Sequence, residues 1–205
     1  MFLLPQLVEN CQSKINGDIQ VYKFWGKYSI AVGNLTQSGG LVEQIWDKAL
    51  KAVVRERVAA NKILILGLGG GTAARLVKKY WPQARITGVD IDPVMVAMGE
   101  KYLGLAGITK IIADATIWLK QNSQQFDGIL VDMYVGKNIP EAVTREEFLL
   151  SIKRTVTDGG WIVFNRLKTK EMKEENAAFR KRLEGVFGRY EIINTPVNEL
   201  LLVKL

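Results

Sequence analysis

A short run, Lys62–Leu66, apolar after its lysine, leads into Gly67–Gly71, four of whose five residues are glycine, and a second run, Ile86–Val89, leads into Asp90. The first run is too short for a buried helix and reads as an interior strand. The glycines let the backbone turn sharply and come close to a ligand before a helix begins at Thr72. A glycine loop at one strand tip and an acid at the next is how open α/β sheets hold an adenosine, with backbone at one end and a carboxylate on the ribose hydroxyls at the other. A nucleoside-containing cofactor is therefore expected, with Gly67, Gly69 and Gly71 in the loop and Asp90 on the ribose. The loop alone does not separate a dinucleotide, whose pyrophosphate sits at the helix N-terminus, from a cofactor that passes beneath it.

Residue types narrow the chemistry. The chain of 205 residues has no histidine and one cysteine, Cys11. That removes the commonest general base, the Ser-His-Asp and Cys-His mechanisms, imidazole-ligated zinc, thiolate metal clusters and internal disulfides, so no metal is expected. Proton chemistry falls to Asp, Glu, Lys or Tyr. A net charge of +7 raises the question of nucleic acid, but the basic residues are scattered, and the densest stretch, 166–182, is interleaved with glutamates as a solvated helix would be. The first ten residues lack a basic start and a cleavage site, and no segment approaches the roughly 18 apolar residues of a membrane span, so a cytoplasmic protein without membrane partners is expected.

Residues 18–33 alternate apolar and polar around Gly26-Lys27 and predict a β-hairpin; Gly39-Gly40 breaks the chain, and 41–58 carries an apolar stripe of helical period. From Lys62 strands and helices alternate: strands at 62–66, 85–90, 108–112, 128–132 and 161–164, with helices at 72–80, 93–102, from 115 and at 145–156. Such alternation makes a parallel sheet covered on both faces. After a polar helix to about 187, the runs 189–193 and 199–203 are joined by too few residues for a parallel crossover and must form an antiparallel hairpin. The expected fold is α/β, Rossmann-like, a seven-stranded mostly parallel sheet with a C-terminal antiparallel hairpin, preceded by an N-terminal β-hairpin and helix. Residues 1–58 are taken as the extension and 59–205 as the nucleoside-binding domain.

Strand tips supply the candidate site residues. Beside Asp90, Ile91 is expected to cover one face of the adenine, and Asp92, before Pro93, to cap the next helix. Asp114, between Ala113 and Ala115, ends another strand where it can receive the adenine amino group, cap a helix, or do both. Asp132 emerges at the carboxyl edge of the fourth strand, where ligands lie, and is the first choice for a catalytic carboxylate; Tyr134 is placed in the same pocket.

From about Asn16 to its end the chain resembles the spermidine synthase branch of the AdoMet-dependent transferase superfamily, in its hairpin, a Gln followed by a helix, the glycine loop, Asp90 to Pro93, the Ala113-Asp114-Ala115 step and the loop opening at Asp132. The resemblance implies that Gln37 approaches the nucleoside, Asp114 and Ala115 the adenine, and Asp132 an acceptor amine, with a homodimer pairing through the N-terminal part. Three departures stand out. The family's loop aspartate is replaced by Gly70, its amine-gripping tyrosine by Trp46, and the second aspartate of its fourth-strand loop by Val135. A polyamine needs several carboxylates to replace its hydration. The leading expectation is therefore an AdoMet-dependent methyltransferase acting on a small-molecule acceptor. The alternatives are an aminopropyltransferase using decarboxylated S-adenosylmethionine, a non-catalytic binder of AdoMet or methylthioadenosine, and, behind these, a nucleic-acid methyltransferase and a nicotinamide dehydrogenase.

Overall fold

The computed structural model describes residues 4–136 and 138–205. Two sheets form. The first is a four-stranded antiparallel meander in the order β1 (Gln6–Ser13), β2 (Gly17–Phe24), β3 (Lys27–Val32) and β4 (Leu35–Gly39). The expected hairpin is its centre, β2 and β3. Its outer strands escape a pattern reading: β1 buries little beyond Ser13, and β4, Leu-Thr-Gln-Ser-Gly, has no apolar alternation.

Helix α1 (Gly40–Arg55) leads into the second sheet, made of β5 (Lys62–Leu66), β6 (Arg85–Asp90), β7 (Thr109–Ile112), β8 (Phe126–Val131), β9 (Val156–Leu167), β10 (Glu191–Asn194) and β11 (Asn198–Lys204). Its order is β10-β11-β9-β8-β5-β6-β7. β11 pairs antiparallel with both β9 and β10, and the remaining pairs are parallel. Helices α2 (Thr72–Tyr80) and α3 (Pro93–Leu103) join α1 on one face; α4 (Ala115–Gln121), α5 (Glu146–Thr155) and α6 (Lys173–Phe187) cover the other. The predicted α/β architecture is thus the observed one, with β9 longer than its apolar centre.

Strand periodicity explains the two cores. Ile63, Ile65, Trp161, Val163, Leu200 and Leu202 face α1 and α2, whereas Leu64, Leu66, Ile162, Phe164, Leu201 and Val203 face α5 and α6. Strands buried on both faces read as continuous apolar runs, as these do. α1 closes the first core with Trp46, Ala49, Leu50 and Val53, all fully buried. Burying a side chain as large as Leu contributes about 1.5–3 kcal/mol, enough to make α1 integral to the main body.

The chain runs β5 to β6 to β7 outward, then returns through β8 and β9 on the other side. Between β6 and β8 the connections diverge, and a crevice opens at the carboxyl ends of the strands. Two glycines shape its floor. Gly67 has φ +81°, and a Cβ there would lie 2.1 Å from the Asp132 carbonyl oxygen; a Cβ on Gly99 of α3 would lie 2.6 Å from the Gly70 backbone. The loop is therefore clamped between β8 and α3.

Asp92 ties the small sheet to this body. It is fully buried, caps α3 by accepting from the Val94 and Met95 N–H groups, and accepts from Ser13 Oγ at 2.5 Å and Asn16 Nδ2 at 2.7 Å. Around it Ile19, Val21 and Ile30 pack on Met95. Asp92→Ala removes the cap and strands one buried donor, Ser13, and one half-buried donor, Asn16, so it should cost about 2–4 kcal/mol of unfolding free energy, read as a lower midpoint in urea.

Candidate active site

The crevice is a cavity of about 470 Å³. Its lining includes Gln37, Gly67, Gly69, Asp90, Ile91, Asp114, Ala115, Asp132 and Tyr134, so the structure brings together nine of the ten sequence-derived candidates. The tenth, Gly71, lies just behind the loop as the left-handed residue that starts α2.

Strand order divides the cavity. On the β5-β6-β7 side, Asp90 Oδ2 accepts from the Gly69 N–H at 2.6 Å and its Oδ1 from the Asp92 N–H at 2.8 Å. The Ile91 N–H also bears on this carboxylate, and acceptor capacity is left over that suits a ribose hydroxyl. Burial raises the Asp90 pKa from its ordinary value, and the backbone N–H bonds partly offset the rise. Ile91 stays 41% exposed, leaving an apolar face for a planar base to cover. Asp114 caps α4 through Oδ1, which accepts from the Thr116 N–H at 2.7 Å, its hydroxyl at 2.6 Å and the Ile117 N–H at 3.3 Å. Its Oδ2 makes none of these bonds, so capping leaves an acceptor for a ligand. Against partial desolvation, the Thr116 and Ile117 bonds hold this carboxyl below its ordinary pKa.

The glycine loop spends its N–H groups inside the fold. Gly67 and Leu68 donate to the Val89 carbonyl, Gly69 to Asp90, Gly70 to Ser38 Oγ and Gly71 to the Leu68 carbonyl. An N–H cradle for a pyrophosphate needs such donors free. Gly70 is not in the cavity wall at all: a Cβ there would meet Ile30, Ser38 and Leu103 within 3.0 Å.

On the β8-β9-β11 side Asp132 is the central group. Its Oδ2 accepts from Trp46 Nε1 and its Oδ1 from Asn165 Nδ2, both at 2.8 Å. Burial pushes its pKa up, the two donors pull it back in part, and the nearby Asp90 charge raises it further. Because Asp132 can only accept when ionised, Asn165 must present its amide nitrogen; its Oδ1 then accepts from Asn198 Nδ2 at 2.7 Å. The row ends at Asn198 Oδ1, buried without a partner among the described residues. Tyr134 is anchored in the wall: its hydroxyl donates to the Asn165 carbonyl at 3.1 Å and accepts from the Leu167 N–H at 2.8 Å. Its pKa is strongly raised, first by burial and then by Asp132.

Gln37 holds the loop after β8. Its Nε2 donates to the Gly136 carbonyl at 2.7 Å, while the Gly136 N–H donates to Asn16 Oδ1 at 3.2 Å. Asn16, Ser38, Asn165 and Asn198 are lining residues that sequence reasoning did not single out. Asn165 was findable, since it directly follows the apolar run of β9 at a strand's carboxyl end. No three His, Cys, Asp or Glu side chains converge on a metal site among the described residues.

Residues 44–202 match the model of the spermine/spermidine synthase domain. A protein named probable polyamine aminopropyl transferase from Bifidobacterium longum is 33% identical over 172 residues, covering 80% of this chain and 38% of that protein. A polyamine aminopropyltransferase from Vibrio vulnificus is 29% identical over 151 residues, 71% of this chain and 50% of its own length. The chain thus spans half or less of each. The crystal structure of a probable spermidine synthase from Corynebacterium glutamicum superposes with a TM-score of 0.80 over 99% of this chain and 81% of that one, at 18% identity, a likeness of fold.

Trp46→Phe keeps the ring and removes one donor to the Asp132 carboxylate. The Asp132 pKa should rise further, read by carboxyl-carbon NMR titration, because a hydrogen bond to the charged form is lost. An unchanged titration would show that the indole does not stabilise the charge.

Proposed function

Since the chain belongs to the spermine/spermidine synthase domain family, we propose that it transfers an aminopropyl group from decarboxylated S-adenosylmethionine to an amine. The observation that carries this reading is Asp132: a half-buried carboxylate of raised pKa, oriented by two donors, at the edge of the sheet beside the nucleoside half of the cavity. The cavity fits the donor substrate, having free lone pairs on Asp90 and Asp114 and an uncovered Ile91 at the nucleoside end.

Bound there, the sulfonium supplies an activated carbon, so the protein's task is alignment and removal of one proton. Asp132 attracts the acceptor ammonium, fixes it against the cavity floor and takes its proton. The freed nitrogen forms the new C–N bond as the C–S bond breaks, leaving methylthioadenosine. A raised pKa makes Asp132 a stronger base than an exposed aspartate. Trp46 and Asn165 hold both oxygens in one orientation throughout.

Methyl transfer, the leading expectation from the sequence, is less well supported than aminopropyl transfer. Methyl transfer drew on Gly70 as a missing acid, yet residue 70 packs against Ile30, Ser38 and Leu103 outside the cavity wall, so its lack of charge says little about the donor. Three carboxylates, Asp90, Asp114 and Asp132, face one lysine, Lys168, among the described lining residues. An excess of negative charge suits a donor carrying a sulfonium and an ammonium better than one in which a methionine carboxylate offsets one of those charges.

Incubation with decarboxylated S-adenosylmethionine and amines should yield methylthioadenosine and an amine heavier by one aminopropyl unit by mass spectrometry. Methyl transfer from AdoMet to the same amines, without that product, would overturn the reading. Asp132→Asn should lower kcat about 10²–10⁴-fold while methylthioadenosine affinity stays within a few-fold. The proton acceptor is lost as pH falls through the Asp132 pKa, which lies above the ordinary aspartate value of 3.8. The acidic limb of kcat/KM should therefore lie above that value.

A further inference from the structure

Asn198, the first residue of β11, lines the cavity and reaches Asp132 through Asn165. Its Nδ2 donates to Asn165 Oδ1 at 2.7 Å, and Asn165 Nδ2 donates to Asp132 Oδ1 at 2.8 Å. Its backbone is pinned as well. The Asn198 N–H donates to Thr195 Oγ1 at 2.9 Å, and its carbonyl accepts from the Thr195 N–H at 2.8 Å and the Thr195 hydroxyl at 2.9 Å. This arrangement leaves Asn198 Oδ1 buried and unpaired among the described residues. An unpaired buried acceptor raises the free energy of the fold, so its presence needs a cause. Turning the Asn198 amide over would set its oxygen against Asn165 Oδ1, and turning Asn165 as well would set an oxygen against the Asp132 carboxylate. The direction of the row is thus imposed from the Asp132 end, and Asn198 holds it from the other.

We propose that Asn198 is a positioning residue for the transfer: through Asn165 it keeps an amide N–H, and not an amide oxygen, turned to Asp132. The proposal deepens the aminopropyl-transfer reading, on which its catalytic meaning rests. When Asp132 takes a proton from the acceptor, an amide free to turn over would offer its oxygen to the new O–H and hold the proton there. Asn198 opposes that turn, because its Nδ2 would then face Asn165 Nδ2. The protonated acid is left without a matching partner in the row, and the ionised base is the favoured form. The titratable groups that bear on Asp132 are Asp90 at the tip of β6 and Tyr134 after β8. At the row itself α1, β9 and β11 present the uncharged Trp46, Asn165 and Asn198, while Arg166 of β9 and Glu199 of β11 pair with Glu175 and Arg180.

Asn198→Leu removes the restraint at nearly constant size. The Asp132 titration, read by carboxyl-carbon NMR, and the acidic limb of kcat/KM should both move up by about 0.5–1 pH unit, the equivalent of one hydrogen bond, with methylthioadenosine affinity within a few-fold. Asn198→Ala makes the same deletion with a smaller side chain and should move both in the same direction, which keeps the test open if the leucine variant does not fold. Asn165→Leu should raise the titration further, and adding Asn198→Leu to it should change nothing more, because the link is already cut. An unmoved titration in Asn198 variants that still bind methylthioadenosine overturns the inference, and so do shifts that simply add in the double variant. Failure of aminopropyl transfer alongside the expected titration shifts overturns the transfer reading and leaves Asn198 orienting the charge of Asp132.

Discussion

A half-buried carboxylate has to be satisfied, and the way Asp132 is satisfied organises this molecule. Its partners come from two elements far apart in sequence, Trp46 on α1 and Asn165 on β9, each at 2.8 Å. Neither partner can move freely: Trp46 is fully buried in the core beneath the sheet, and Asn165 is locked to Asn198 of β11. The position of the acid is thereby set by the packing of the whole first core. Both donors lower the cost of the charge without cancelling it, which leaves a base stronger than an ordinary aspartate and accessible to a ligand.

Asp90 plays the matching part at the other end. One carboxylate fixes the glycine loop through Gly69 and the following turn through Asp92, and still has lone pairs to offer. Asp92 then carries the constraint outward to Ser13 and Asn16, and Asn16 with Gln37 holds the loop after β8 at Gly136. The small N-terminal sheet is therefore part of the site's frame. Its residues set the backbone of the loop over the cavity, in addition to whatever Gln37 contributes to a nucleoside.

Much of this was legible in the sequence where a local rule applies. Strand β5, helix α2 and strand β6 begin and end at the expected residues, because an apolar run bounded by glycine or an acid leaves little freedom. Asp92 as a cap followed from Pro93 and came out as expected. Strands β1 and β4 were not legible, since their pairing depends on neighbours and not on their own alternation. The site's polar partners were hidden for a related reason. Asn198 reaches Asn165 only because β11 inserts between β10 and β9. Gly70 shows the opposite error: its place in a motif invites a functional reading, and its surroundings, Ile30, Ser38 and Leu103, are those of a packing contact.

The proposed donor lacks a carboxylate, and two features of the cavity favour it. The loop Gly67–Gly71 has no spare N–H group to receive one, and the lining acids outnumber the one lysine among the described residues. Calorimetric titration with AdoMet and with its decarboxylated form, run in parallel, tests this most directly because the two ligands differ by that single group. Tighter binding of the decarboxylated form is the predicted result; tighter binding of AdoMet would contradict the account.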